Sequence, residues 1–153
     1  MLVAPEIPPN TGTTARLCAA TTTRLHLVGP LGFSLEDRYL RRAGLDYWPH
    51  VDVEVHDDWH RFRERHGDAS LRLFSAKAAK SYSDVAYQRG DFLVFGGETR
   101  GLPEEVLAEH AERSYVIPMS GTQVRSLNLA NAAAIVLYEA LRQLGRTSRN
   151  PPN

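Results

Sequence analysis

The hydrophobic pattern is most distinctive in the last quarter of the chain, where a short apolar segment, a polar loop and a long apolar segment follow one another. Residues 115–117 predict a buried strand. Residues 127–144 are apolar on nearly every side of a helical wheel, which is typical of a helix that is buried on more than one side. Ser126 or Asn128 can cap the start of this helix, and Gly145 suits the position after its end.

Two interpretations of this C-terminal helix stay open from the pattern alone. It can be a central core helix, or it can be a core helix that also forms a subunit interface. Neither interpretation explains the polar residues that gather at its start, which are Arg125, Ser126, Asn128 and Asn131. Polar groups at a helix N-terminus next to the end of a strand indicate a ligand site.

The rest of the chain alternates between predicted strands and predicted helices. The strands are predicted at residues 2–4, 24–28, 51–55, 71–75, 91–95 and 115–117. The helices before the C-terminal one are predicted from residue 10 or 11 to 21, at 34–43, from 57 or 58 to 65, and from 103 to about 110. This alternation predicts an α/β fold with a mainly parallel sheet and helices on both faces.

Three polar loops follow predicted strands, at residues 5–12, 96–103 and 118–128. Ligands of parallel sheets bind outside the carboxyl ends of the strands, so these loops are expected to meet at one site. The middle loop lacks both the dinucleotide-binding glycine pattern and the P-loop pattern. It can be a plain tight turn in which Glu98 pairs with Arg100.

Composition and charge narrow the classes of function. The chain has 153 residues, enough for one domain with a core, and its 18 basic residues balance its 18 acidic residues. Bulk charge therefore does not predict non-specific nucleic-acid binding, although a local basic patch stays open. There is no apolar run long enough to span a membrane and no signal peptide, so we expect a cytoplasmic protein. Residues 147–153 are expected to form a frayed tail.

Cysteine and histidine residues give no sign of a metal site in the sequence. The single Cys18 excludes an internal disulfide and is expected to be a small buried side chain. The six histidines show no metal-ligand spacing, and His56, His60 and His66 lie on or near a predicted surface helix. We therefore expect solvated histidines and no bound metal.

Together, the three loops resemble the three motifs of the SPOUT superfamily of RNA methyltransferases. The first is PEIPPNTG, the second is FGGETRGLP, and the third is RSLNLANAAAIVLYEALRQ. The segment LRRAGLDYW at residues 40–48 narrows the resemblance to the tRNA (cytidine/uridine wobble position)-2′-O-methyltransferase family, the TrmL type. The resemblance covers nearly the whole chain.

This resemblance implies a fold, a reaction and a cofactor. Residues 1–146 would form a single SPOUT domain whose C-terminal third is tied into a deep trefoil knot. The protein would transfer a methyl group from S-adenosylmethionine to the ribose 2′-hydroxyl of the wobble nucleotide of a tRNA, with tRNA-Leu as the expected substrate. It would act as a homodimer that contacts its partner through the last helix.

The resemblance also implies roles for individual residues. The catalytic set would be Arg16, Asn10, Glu98, Ser126 and Asn128. The cofactor would be held by Ala76, Gly96, Ile117, Ser126 and Leu127. Because arginine stays protonated above pH 12 or so, we expect Arg16 to hold an RNA phosphate and stabilise the forming alkoxide rather than remove a proton.

Contacts to RNA are assigned to five residues, namely Arg41, Arg42, Lys80, Tyr138 and Arg142. The alternative for the basic residues is an ordinary solvated surface, and the alternative for the last two is a role in the interface only. Two other functions stay open. One is a SPOUT enzyme that acts on ribosomal RNA or on another tRNA position, and the other is a dimer that binds RNA without catalysis.

Overall fold

Seven strands form one parallel sheet in the computed structural model, which describes residues 1–36, 38 and 47–146. The strands are β1 (Leu2–Val3), β2 (Leu25–Val28), β3 (Val53–His56), β4 (Leu71–Phe74), β5 (Lys80–Ser81), β6 (Phe92–Gly96) and β7 (Ser114–Val116). Their order across the sheet is β3-β2-β1-β6-β4-β7-β5, and every pair of neighbours is parallel. The predicted parallel α/β class is confirmed.

Helices cover both faces of this sheet, as predicted. They are α1 (Pro8–Thr21), α2 (Trp59–Arg65), α3 (Glu104–Glu109) and α4 (Leu129–Gln143), with 3₁₀ turns at Trp48–His50, Tyr82–Asp84 and Ala111–Arg113. Successive strand residues point to opposite faces. Leu27 accordingly packs with α1 and α4, while its neighbour Val28 packs with Phe62 of α2 and Val106 of α3.

The sequence missed one strand and misplaced the start of one helix. The two-residue strand β5 was not predicted, because Lys80 and Ser81 carry no apolar alternation. Helix α1 begins at Pro8, inside the segment predicted to be a rigid loop. Two prolines fit there because N–H groups in the first turn of a helix have no partner within the helix. Most of the helix predicted at residues 34–43 lies outside the described residues, as do residues 147–153.

Helix α4 begins at Leu129, directly after one of the two cap residues that the sequence predicts. The Asn128 side chain is its N-cap, since Oδ1 accepts a hydrogen bond from the backbone N–H of Asn131 at 3.2 Å. The helix is predicted to be apolar on nearly every side and buried on more than one side, but one side of it is exposed in the single chain. Ile135 and Tyr138 lie on an exposed stripe and are 38% and 52% accessible to solvent.

The expectation of solvated histidines is wrong for His56, although it holds for His60. His56 is buried against His26 and Phe62, whereas the His60 side chain is 79% exposed. Burial lowers the pKa of His26 to about 4. Cys18 is buried, as predicted. In the ranges that the structure describes, no helix has the length and apolar character needed to cross a membrane.

Candidate active site

The three polar loops meet at a cleft of about 720 Å³ beside the carboxyl ends of β4, β6 and β7. Residues from all three loops line it, together with the segment that follows β4. Parallel pairing places these strand ends at the same edge of the sheet. The expected meeting of loops far apart in sequence is therefore confirmed.

Glu98 joins the middle loop to the first one. Its carboxylate accepts hydrogen bonds from the backbone N–H groups of Glu6 at 2.7 Å and Ile7 at 3.1 Å. Ile7 is the N-cap residue of α1 and offers no capping side chain, so Glu98 places a negative charge at the positive end of this helix. The open alternative that Glu98 simply pairs with Arg100 does not describe this arrangement.

The contact between these two loops is reciprocal. The Glu6 carboxylate accepts hydrogen bonds from the Thr99 hydroxyl at 2.6 Å and from the Thr99 backbone N–H at 3.2 Å. Each acid thus binds donors on the loop that carries the other acid. This pairing could not be predicted from the sequence, because Glu6 and Thr99 are 93 positions apart.

Asn10 extends this network to the third loop. Its Nδ2 donates to Glu98 at 3.1 Å, and its Oδ1 accepts from Nδ2 of Asn128 at 2.9 Å. Because the other end of the Asn128 amide caps α4, the orientation of that amide is fixed at both ends. Glu98, Asn10 and Asn128 therefore form one hydrogen-bonded chain from the middle loop to the start of α4, and we call it the loop-joining chain.

Glycine is required by the backbone of the middle loop. A Cβ on Gly96 would lie 2.0 Å from the carbonyl carbon of Gly101, and one on Gly97 would lie 2.3 Å from the carbonyl oxygen of Ala4. Gly101 has φ of +70° and donates its N–H to the Gly97 carbonyl at 2.9 Å. The loop therefore folds back on itself with glycine at each position where two backbone segments approach closely, which leaves its backbone open to a ligand.

All five residues assigned to the cofactor line this cleft. They are Ala76, Gly96, Ile117, Ser126 and Leu127. Aromatic and aliphatic side chains form the inner wall, where Phe74, Phe95 and Leu129 also line the space. The volume lies within the roughly 300–1,000 Å³ range of small-molecule sites. An apolar wall, backbone groups at strand ends and a few polar side chains fit a nucleoside-containing ligand such as S-adenosylmethionine.

Basic side chains surround the mouth of the cleft. Lys77, Arg100 and Arg125 all contribute to its lining. Lys77 approaches Glu104 at 3.8 Å, but both side chains are largely exposed, so this pair is weak. The chain is neutral overall and still presents a local positive surface at the cleft, which suits an anionic substrate.

Arg16, the predicted catalytic arginine, is not among the described residues that line the cleft. It lies on the exposed side of α1, and its guanidinium stacks over the Tyr47 ring at 4.7 Å from the ring centre. A cation–π contact of this kind holds the side chain in one orientation without removing its hydrogen-bond donors. Within one chain, the structure does not bring Arg16 together with Asn10, Glu98, Ser126 and Asn128.

The three described residues that were assigned to RNA lie on two different elements, the strand β5 and the helix α4. Lys80 lies on β5 at the edge of the sheet, where Nζ contacts the carbonyl and carboxylate of Glu112 at 3.0 and 3.1 Å. Arg142 forms a two-pronged ion pair with Glu139, and this contact and one from Gln143 lower the pKa of Glu139 to about 2. Tyr138 is exposed on α4. Arg41 and Arg42 lie outside the described residues.

A parallel α/β sheet with a nucleoside-sized cleft at its strand ends defines a class of ligand-binding and group-transfer proteins. The chain belongs within that class to the SpoU rRNA Methylase family, which matches residues 1–138. The predicted resemblance to the SPOUT RNA methyltransferases is thereby confirmed.

Comparison with individual relatives shows which members of this family the chain is similar to. The chain is 50% identical to the tRNA (cytidine(34)-2′-O)-methyltransferase of Methylovorus glucosotrophus, over 94% of this chain and 93% of the relative. It is also similar to a solved structure that describes the 2′-hydroxyl methylation of C/U34 on tRNA, with a TM-score of 0.87, 50% identity and coverage of 94% and 93%. An AdoMet-bound rRNA methyltransferase from Sinorhizobium meliloti is 28% identical with a TM-score of 0.81, and the match covers 94% of this chain and 55% of that one.

Proposed function

We propose that the protein transfers a methyl group from S-adenosylmethionine to the ribose 2′-hydroxyl of the wobble nucleotide of tRNA. The observation that carries this proposal is the loop-joining chain of Glu98, Asn10 and Asn128 beside the cofactor-sized cleft. The relatives support the substrate, since the Methylovorus glucosotrophus enzyme and the solved structure at 50% identity are both named for nucleotide 34 of tRNA, which is the wobble position. Cytidine and uridine are both within the proposed range, and tRNA-Leu is the proposed tRNA.

Ala76, Gly96, Ile117, Ser126 and Leu127 would hold the cofactor. Apolar residues and backbone groups suffice, because adenine and ribose can be bound by packing and by main-chain hydrogen bonds. When bound, the cofactor supplies an electrophilic methyl group on a positively charged sulfur. The protein's task is then to place a ribose hydroxyl in line with that methyl group, and placement of this kind can lower the barrier by about 7–11 kcal/mol.

The loop-joining chain gives the site its rigidity. A ribose hydroxyl is a poor nucleophile until it loses its proton, so its oxygen must be held while negative charge develops. Asn128 and Ser126 stand at the N-terminal end of α4, where the helix dipole and free N–H groups favour a developing negative charge. Glu98 and Asn10 fix the orientation of Asn128.

Arg16 would bind an RNA phosphate and stabilise the alkoxide. Because Arg16 stacks on Tyr47 and does not line the cleft of its own chain, this role fits an Arg16 that reaches the cleft of a second subunit. We therefore include a homodimer in the proposal, with α4 as its contact surface. The exposed apolar side chains Ile135 and Tyr138 on that helix support such a contact.

The remaining parts of the proposal concern the path of the chain and the RNA. We propose that the C-terminal third forms the trefoil knot of the SPOUT fold, and that the site lies within it. Lys77, Arg100 and Arg125 at the cleft would contact the phosphates nearest the reacting ribose. Arg41, Arg42, Lys80, Tyr138 and Arg142 would contact the tRNA farther away.

The test is a transfer reaction with labelled S-adenosylmethionine and unmodified tRNA-Leu, with the product nucleosides mapped by mass spectrometry. A ribosomal RNA fragment serves as the competing substrate, because the family name includes rRNA. A 2′-O-methyl group at the wobble nucleotide supports the proposal. Transfer only to ribosomal RNA or to another tRNA position would replace the substrate, and cofactor binding without any transfer would favour an RNA-binding protein.

The matched variants are Asn10→Ala and Gln88→Ala. Asn10 is in the loop-joining chain, whereas Gln88 is an exposed amide that does not line the cleft and makes its described hydrogen bonds through its backbone. Asn10→Ala is expected to lower turnover by at least about tenfold, in line with the loss of one positioned polar group. Gln88→Ala is expected to leave turnover unchanged.

A further inference from the structure

A second cluster of polar side chains lies on β2 and β3, away from the candidate active site. His26, Glu54, His56 and His66 place one ligand-type atom each within 4.8 Å of all the others. In the part of the chain that the structure describes, this is the group of histidine, cysteine and carboxylate side chains that could surround a metal ion. None of the four is among the described residues that line the cleft.

Strand pairing and helix α2 create this cluster. His26 on β2 lies opposite Glu54 on β3, and His56 is two residues further along β3, so all three side chains point to the same face of the sheet. His66 is the residue immediately after α2, and it is the fourth member of the cluster. Phe62 and Phe92 pack against the imidazole rings and form an apolar wall.

The distances are close to those of a tetrahedral metal site. Nδ1 of His26 lies 3.1 Å from Nε2 of His56, and Nε2 of His66 lies 3.1 Å from Oε1 of Glu54. The Glu54 oxygens lie 3.9 Å from Nδ1 of His26 and 3.7 Å from Nε2 of His56. Ligands that bind zinc at about 2.0–2.1 Å in a tetrahedron are separated from one another by about 3.4 Å. Small side-chain rotations would therefore bring all four atoms to bonding distance.

We propose that His26, Glu54, His56 and His66 bind one Zn²⁺ ion in a structural site. Three imidazole nitrogens and one carboxylate oxygen suit the borderline character of zinc. Four protein ligands leave no open position, which is the arrangement of a structural site rather than a catalytic one. The ion would tie β2, β3 and the end of α2 together on the sheet face opposite α1 and α4.

The competing explanation is a network of hydrogen bonds and ion pairs that needs no metal. In it, His66 and Nε of Arg65 bind Glu54 at 3.1 and 3.0 Å, and Arg24 approaches the same carboxylate at 3.7 Å. The two explanations differ in what Arg65 does. A metal ion is repelled by the charge of Arg65 and competes with it for the Glu54 carboxylate, whereas the network without metal depends on Arg65.

The experiment uses the full-length protein without an affinity tag, stripped with a chelator and then titrated with Zn²⁺ or Co²⁺. We expect one zinc ion per chain by elemental analysis and, for Co²⁺, the strong visible absorption of a tetrahedral site. At free zinc about 100 times the dissociation constant, the unfolding midpoint should rise by about 5–10 °C. Binding of less than one ion per chain, or the weak spectrum of octahedral cobalt, would overturn the proposal.

Variants on and near α2 separate a built site from chance binding. His66→Gln should weaken zinc binding by about 100-fold or more and abolish the rise in unfolding midpoint, because a direct ligand is lost. His60→Gln removes an exposed histidine of the same helix and should change neither property. Equal effects of the two variants, or unchanged zinc affinity in His66→Gln, would contradict the site.

Arg65→Ala provides the direct comparison of the two explanations. Zinc affinity should rise in this variant because the competing cation is gone, while a lowered affinity would favour the network. If His66→Gln does not fold, as judged by circular dichroism, Glu54→Gln takes its place. It keeps the shape of the side chain, removes the negative ligand and should lower zinc affinity to the same extent.

Discussion

Nδ2 of Asn128 donates a hydrogen bond to Oδ1 of Asn10 at 2.9 Å across 118 positions of sequence. This contact joins the start of α1 to the start of α4, and Glu98 binds the other end of the Asn10 amide. Three loops that are remote in sequence thus share a single chain of hydrogen bonds. We expect these side chains to act as a unit, so that the effects of removing two of them on turnover are less than additive.

Replacement of Glu98 by glutamine should weaken both the fold and the site. The carboxylate accepts three hydrogen bonds, and a glutamine amide would direct its own donors at one or more of the same N–H groups. We expect the free energy of unfolding to fall by about 1–3 kcal/mol, measured by urea denaturation. Glu105→Gln, an exposed acid in the first turn of α3, is the control and should have little effect. Equal stability of both variants would show that the charge at α1 is unimportant.

Gly96→Ala should weaken cofactor binding. The added Cβ would lie 2.0 Å from the backbone of Gly101, so the middle loop must move to accommodate it. We expect S-adenosylmethionine affinity to fall by at least about tenfold, or about 1.4 kcal/mol, measured by calorimetry. Gly121→Ala is the matched control, because a Cβ there meets nothing within 4 Å. Unchanged affinity in Gly96→Ala would place the cofactor elsewhere.

Arg16→Lys should lower turnover while cofactor affinity stays the same. Lysine keeps the charge but loses the planar pair of donors that a phosphate or alkoxide can use. A decrease of about 10²-fold in kcat is expected for a lost positioned donor, determined at saturating tRNA. Arg113→Lys, an exposed arginine on the Ala111–Arg113 turn, is expected to behave as the unmodified protein. Near-normal turnover of Arg16→Lys would remove Arg16 from the catalytic set.

Ile135→Glu should dissociate the proposed dimer. The side chain is exposed in the single chain and lies beside Tyr138 on α4, so a charge there would be buried only in a dimer. Sedimentation velocity should show a single-chain mass for this variant. The control is Val55→Glu, which changes an exposed valine on the edge strand β3 and should leave the dimer intact. A dimeric Ile135→Glu would exclude this face of α4 as the interface.

The elements that the sequence predicted best are those with a strong local pattern. The apolar run of β6 and the capping residue Asn128 act through neighbours a few positions away, so the local pattern is enough to predict them. The strand β5 has only two residues, and it exists because Tyr115 and Val116 of β7 pair with it. Such tertiary pairing leaves no trace in local hydrophobicity.

The candidate site shows the same difference between what local patterns predict and what depends on long-range contacts. Motif residues from all three loops meet at the cleft, as predicted, but Arg16 does not. The contacts of Glu6 with Glu98 and Thr99, and of Tyr47 with Arg16, could not be predicted, because each joins residues far apart in sequence. The contact between the two buried histidines could not be predicted either, for the same reason. His26 and His56 lie 30 positions apart, and only the pairing of β2 with β3 brings them together.

The most direct test of the proposed function compares two tRNA-Leu transcripts that differ in a single oxygen. One carries ribose at the wobble nucleotide, and the other carries 2′-deoxyribose there. We expect methyl transfer to the first transcript and none to the second, with equal cofactor binding in both reactions. Equal transfer to both transcripts would contradict the proposed function, because the methyl group would then go to another atom of the RNA.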